Sequence, residues 1–222
     1  MEVKISPINL NWKNMKRTII PGLPHHAIQR GLQGRKTFLT NEDYGVYLEI
    51  MSDCTRRHGV EIWSYCLMPD HVHFIAIPKE TNSLSNCFRA AHSRYTKYIN
   101  RRTGSSGQFW QARYASHLLD EQYLIACARY IEINPVKRDY VDQPEDWKWS
   151  SARAHIMKSD DSLVHAKPLL ERVERQWSEF LAETRPENEA DLFYLHEKNG
   201  RPLGSDAFLA MVEKRQKIRS FL

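Results

Sequence analysis

Apolar and polar positions change period several times along the chain, and each change marks an element. From Pro24, the run His26, Ala27, Ile28, Gln29 has a strand pattern, and Gly31 ends it. Gly34, Arg35 and Lys36 then form a basic turn. Thr40 or Asn41 can cap a helix, with Glu42 and Asp43 in its first turn. Tyr44, Tyr47, Leu48 and Met51 recur at helical spacing to about Arg57, and Gly59 stops the helix. VEIWSYCLM (60–68) and HVHFIAI (71–77) are rich in β-branched and aromatic residues, and Pro69–Asp70 joins them as a β-hairpin. Ser83 or Ser85 opens a second helix that runs to about Arg102. Leu84, Phe88, Ala91, Tyr95 and Ile99 lie on one of its faces, and Arg94, Lys97 and Arg101 on another. After the loop TGSSG (103–107), QFWQARYASHLL (108–119) is extended. Asp120 caps a third helix through Ile133, which Pro135 ends.

Strand, helix, strand, strand, helix, strand, helix is not doubly wound alternation. It predicts an α+β fold, an antiparallel sheet with helices packed on it. After Pro144 the composition shifts to tryptophans followed by amphipathic helical stretches. The expected organisation is an N-terminal arm over 1–20, a main domain over 21–157 and a helical C-terminal extension over 158–222.

The formal net charge of +5 favours a polyanionic partner, nucleic acid first, although a solvated basic surface accounts for it equally well. Cys54, Cys66, Cys87 and Cys127 form no CxxC pair and sit among apolar residues, as buried thiols in a reducing compartment would. The first residues lack the apolar run of a signal peptide, and no stretch of 18 apolar residues occurs. The expectation is a cytoplasmic protein with no membrane span.

Two histidines at i and i+2 on a strand, His71 and His73, point to one face and can converge on a divalent metal. Val72 and Ile75 are expected on the opposite side or in the neighbouring core. The bland account is two polar residues on an exposed hairpin face. A third ligand must come from elsewhere, and the third helix offers Tyr130 and Asn134, four apart on one face. The Asn134 amide could complete the metal shell, and the Tyr130 phenol could attack phosphorus near it. Taken singly, Tyr130 is better explained as a tyrosine at the margin of an apolar stripe and Asn134 as a polar helix end.

The segments YCLMPDHVHFIAIP (65–78), YTKYINRRTGSSGQFWQARYASHLLDEQYLIACARYIEINPVKRDYV (95–141) and WKWSSARAH (147–155) resemble transposases associated with repetitive extragenic palindromes, the single-tyrosine branch of the HUH superfamily. PHHAIQRGLQGRKTF (24–38) is similar to that family's opening, and NGRPLGSDAF (199–208) to a tail motif. The resemblance covers roughly residues 20–155 plus the tail. It implies a ferredoxin-like core with helices on one face, His71 and His73 as metal ligands, Tyr130 as nucleophile and Asn134 as a further ligand. Insertion-sequence relatives generally carry glutamine at that last position. It also implies magnesium or manganese, a single-stranded hairpin DNA substrate, a 5′-phosphotyrosine intermediate, and action as a monomer or a homodimer. Histidine ligands by themselves favour manganese or zinc over magnesium.

Arg30, Arg35, Lys36, Arg94, Lys97, Arg101 and Arg113 are the candidate DNA contacts, although for any single one a solvated surface charge is the favoured account. Phe109, Trp110 and Tyr114 could stack on bases, but packing under the TGSSG loop is the favoured account. Tyr95, on the apolar stripe of its helix, is expected in the core. A histidine-triad nucleotide hydrolase would need a third alternating histidine where Ile75 stands. A domesticated protein that grips hairpins without cutting and a structural protein with a surface histidine pair are the remaining alternatives.

Overall fold

A computed structural model describes residues 18–183, Phe193 and 202–220. The described residues form a four-stranded sheet from β1 (His25–Arg30), β2 (Val60–Leu67), β3 (His71–Pro78) and β4 (Ala115–Leu118), in the order β2-β3-β1-β4. Every pairing is antiparallel. Helix α1 (Asn41–His58) connects β1 to β2, and α2 (Ser83–Thr103) connects β3 to β4. This is the ferredoxin-like order expected.

The start and stop of α1 are those its sequence dictates. Asp43 Oδ2 accepts the backbone N–H groups of Leu39 and Thr40 at 2.8 and 2.9 Å. Gly59 ends the helix in the left-handed region at φ 61°, where a side chain would be strained. The sheet's period-two alternation then sorts two cores. Ala27, Val72, Phe74 and Ala76 face α1 and α2, where Tyr47, Met51, Leu84, Phe88 and Tyr95 are buried. Cys66, Ile75 and Ile77 face the other way. They meet Leu124, Cys127, Ala128 and Ile131 of α3 (Glu121–Glu132).

Thus α1 and α2 share one face as expected, whereas α3 covers the opposite one. Val72 points away from the histidines, but Ile75 is on their side, because it follows His73 by two. Pro135 does stop α3, yet it also sits in a fresh turn, α4 (Asn134–Lys137). Proline suits a first turn, whose N–H needs no partner inside the helix.

Beyond Pro144 come α5 (Ala152–Ile156), α6 (Lys167–Leu170), α7 (Trp177–Ala182) and a C-terminal helix (Asp206–Ser220). Leu169, Trp177, Phe180 and Leu181 join the core under α3, so the helical extension is continuous with the sheet. The four cysteines are free and buried. Among the described residues no helix is long and apolar enough to cross a membrane. Residues 1–17 of the expected arm lie outside the described residues.

Candidate active site

Strand β3 presents His71 and His73 side by side beneath α3, with ring centroids 4.8 Å apart and planes at 85°. Both are buried. His71 Nδ1–H donates to Asp70 Oδ1 at 2.6 Å. His73 Nδ1 shares a hydrogen bond with His26 Nε2 at 2.9 Å, and those two rings stack at 5.1 Å. His26 reaches the cluster because β1 pairs with both β3 and β4, where it stands opposite Ile75 and His117. The His117 ring lies 6.4 Å from His26.

Tyr130 closes the cluster from above. Its ring is 5.6 Å from that of His73 and 6.2 Å from that of His26, edge-on to each. Phe193 stacks on it at 4.9 Å and lies 6.3 Å from the His26 ring. The α3 apolar stripe docks on the sheet, and Tyr130, one position before buried Ile131, stands at its margin over β1 and β3.

Burial lowers the His73 pKa well below the ordinary value, and the charges of His71, His26, Arg30 and Arg138 push the same way. Burial also lowers that of His71, against the opposing pull of Asp70. The hydrogen bond from His71 in turn holds the Asp70 carboxyl below the usual carboxylate range. Both imidazoles are therefore neutral at neutral pH, the form that ligates a metal. Arg30 stands opposite His71 in the β1–β3 register.

The donor set can be tested against a divalent cation. Asp70 occupies Nδ1 of His71, so ligation falls to Nε2, and a carboxylate behind a ligating histidine is a usual support. Among the described residues no three His, Cys, Asp or Glu side chains gather as a ligand set. Further ligands would be oxygens, neutral from an amide or water, or anionic from a phosphate. Asn134 is buried one turn beyond Tyr130. Two imidazoles with oxygens can hold a first-row divalent cation, the imidazoles favouring zinc and the oxygens manganese or magnesium.

The other candidates separate spatially. Arg94, Lys97 and Arg101 are exposed on α2, the layer on the far side of the sheet, and Arg94 pairs with Asp53 at 2.5 Å. Arg35 lies over the Phe109 ring at 4.2 Å. Lys36 and Arg113 are exposed in loops. Phe109, Trp110 and Tyr114 are buried, so packing is their role. Tyr95 is fully buried and its hydroxyl donates to the Thr37 carbonyl at 2.7 Å, as a core residue. Sequence reasoning missed His26, His117 and exposed Arg138. Position 26 did stand in the opening motif, but only strand register shows that it meets His73.

The family described as transposase IS200 like matches residues 25–134, a span that contains the histidine cluster, Tyr130 and Asn134. Two relatives are described as REP-associated tyrosine transposases. One, from Haemophilus influenzae, is 28% identical over 133 residues, covering 54% of this chain and 74% of the relative. The other, from Escherichia coli, is 26% identical over 132 residues, covering 57% and 75%. A solved REP-associated tyrosine transposase bound to a REP hairpin has the same fold. It superposes with a TM-score of 0.57 at 22% identity, covering 68% of this chain and 93% of that one.

Proposed function

The chain belongs to the IS200-like transposase family, and on that premise we propose that it cleaves and rejoins single-stranded hairpin DNA through Tyr130. The observation that carries this reading is the Tyr130 ring against His73, in one cluster with the His71–Asp70 pair. The Tyr130 oxygen attacks a backbone phosphorus and the phenolic proton is lost. The bond from phosphorus to the 3′ oxygen breaks, and that oxygen takes up a proton. The products are a 5′-phosphotyrosine and a free 3′-hydroxyl. A 3′-hydroxyl reverses the step, so rejoining needs no nucleotide cofactor.

A divalent cation, manganese or magnesium, would be held by His71 and His73 and would supply charge neutralisation at the scissile phosphate. Asp70 fixes the His71 tautomer, and His26 holds the His73 ring. Arg30 and Arg138 add positive potential that attracts the DNA backbone. The fold relative's REP hairpin makes palindromic hairpins from around the gene the first substrates to try.

The test is cleavage of such a hairpin with manganese, with magnesium and with chelator, by wild type, His71→Ala and His73→Ala. Metal-dependent cutting by wild type, lost in both variants, is expected. Tight hairpin binding with no cleavage under any condition would refute the reading in favour of a non-cutting hairpin-binding protein.

A further inference from the structure

We propose that the C-terminal segment is a two-point clamp on α3 that sets the helix's rotation and so aims Tyr130. This rests on Tyr130 being the nucleophile. The first point is Glu132, a fully buried side chain. It accepts hydrogen bonds from Ser64 of β2 at 3.2 Å, Ser151 at 2.5 Å, His155 Nδ1 of α5 at 2.7 Å and Trp177 Nε1 of α7 at 2.7 Å. Three of these four donors lie beyond Pro144. The His155 and Trp177 rings also stack at 4.5 Å, and Ser151 Oγ accepts the Tyr65 N–H at 2.9 Å. Tyr130 chemistry uses none of these groups, and an acid so enclosed has no contact with solvent.

The second point is the start of α3. Leu203 N–H donates to Leu118 O at 2.8 Å, and Asp120 N–H to Leu203 O at 2.9 Å. Asp120 caps α3 by accepting from Tyr123 N–H at 3.0 Å, and its other oxygen accepts from Ser205 N–H at 2.7 Å. Gly204 leaves no room for a side chain here: a Cβ would lie 3.1 Å from the Asp120 carboxyl and 2.2 Å from the ring of Phe208 in the tail's own helix. The tail motif thus grips the cap of the helix that carries the nucleophile. Arg201 of that motif lies outside the described residues.

Geometry gives the clamp leverage. Residues two apart on a helix are about 200° apart, so a helix lying on the sheet can set Glu132 over β2 while Tyr130 stands over β1 and β3. With a side-chain radius of about 5–6 Å, a rotation of about 10° moves the Tyr130 ring by about 1 Å. A misplacement of that size can cost on the order of a hundredfold in rate. Glu132 and Asp120 are positioning residues, since neither touches the reacting atoms.

The test compares wild type, Glu132→Gln and Gly204→Ala, with Tyr130→Phe as reference. Three quantities are measured on one hairpin with manganese: the single-turnover rate of covalent adduct formation at saturating DNA, the hairpin Kd and the thermal melt. Both clamp variants are expected to form adduct tenfold to a hundredfold more slowly, with Kd within about twofold of wild type. Gly204→Ala acts at the tail, where its Cβ crowds Phe208 and the Asp120 carboxyl, and leaves the Glu132 site untouched, so it gives the rate and Kd comparison even if Glu132→Gln does not fold. A folded variant reacting at the wild-type rate, or rate and binding falling together, would overturn the clamp and leave the nucleophile assignment standing. Adduct formation by Tyr130→Phe would overturn both.

Discussion

Buried histidines should make this fold acid-labile well above the carboxylate range. His25 is pushed down to about 4, chiefly by burial. His92, buried against Tyr47 and Trp110, is pushed down to about 3 for the same reason. His71 and His73 shift the same way. A group whose folded pKa lies below its unfolded value of 6.5 binds its proton more readily when unfolded. Its contribution is therefore complete above pH 6.5 and is lost as pH falls towards the folded pKa. Between pH 8 and pH 5, His25 and His92 should each cost about 2 kcal/mol, at about 1.4 kcal/mol per pH unit below 6.5. Together they remove about 4 kcal/mol, a large part of the roughly 5–15 kcal/mol of a typical domain. Urea unfolding followed by tryptophan fluorescence at pH 8, 6.5 and 5 measures this. Repeating it with His92→Gln, which cannot titrate, should shrink the drop by about 2 kcal/mol. Stability that stays flat from pH 8 to 5, or a drop His92→Gln leaves untouched, would refute the reasoning.

Asp70→Asn removes the carboxylate charge behind His71, and should weaken manganese binding about 10–100-fold by calorimetric titration. Arg30→Ala and Arg138→Ala should each reduce the log–log salt slope of hairpin binding by about one. Lys97→Ala, on the far side of the sheet, should leave it unchanged. Tyr95→Phe loses one buried hydrogen bond and should destabilise by about 1 kcal/mol in the same urea assay while still forming adduct.

The strands and long helices were legible because their signals are local. Period-two alternation fixes His71 and His73 on one face, and Asp43 and Gly59 bound α1 wherever the helix docks. What sequence could not supply is which partner each face meets. Arg94, Lys97 and Arg101 form a clear basic row, yet only the βαββαβ topology places it opposite the histidines. His26 joins His73 through a β1–β3 register that no single strand encodes. Glu132 did leave a trace. It stands four residues after Ala128, where the buried stripe of α3 calls for an apolar side chain, and an acid there implies buried donors. The donors come from Ser64, Ser151, His155 and Trp177, remote along the chain, so their convergence needed the fold.

Mapping the protein–DNA bond tests the central claim most directly. Hairpin DNA is incubated with the protein and manganese, the covalent complex is isolated under denaturing conditions, and nuclease and protease digestion leaves a nucleotide-bearing peptide for mass spectrometry. The account predicts a phosphonucleotide on Tyr130, and no complex with Tyr130→Phe. A nucleotide on Tyr123 or another residue, or cleaved DNA with no covalent complex, would contradict it.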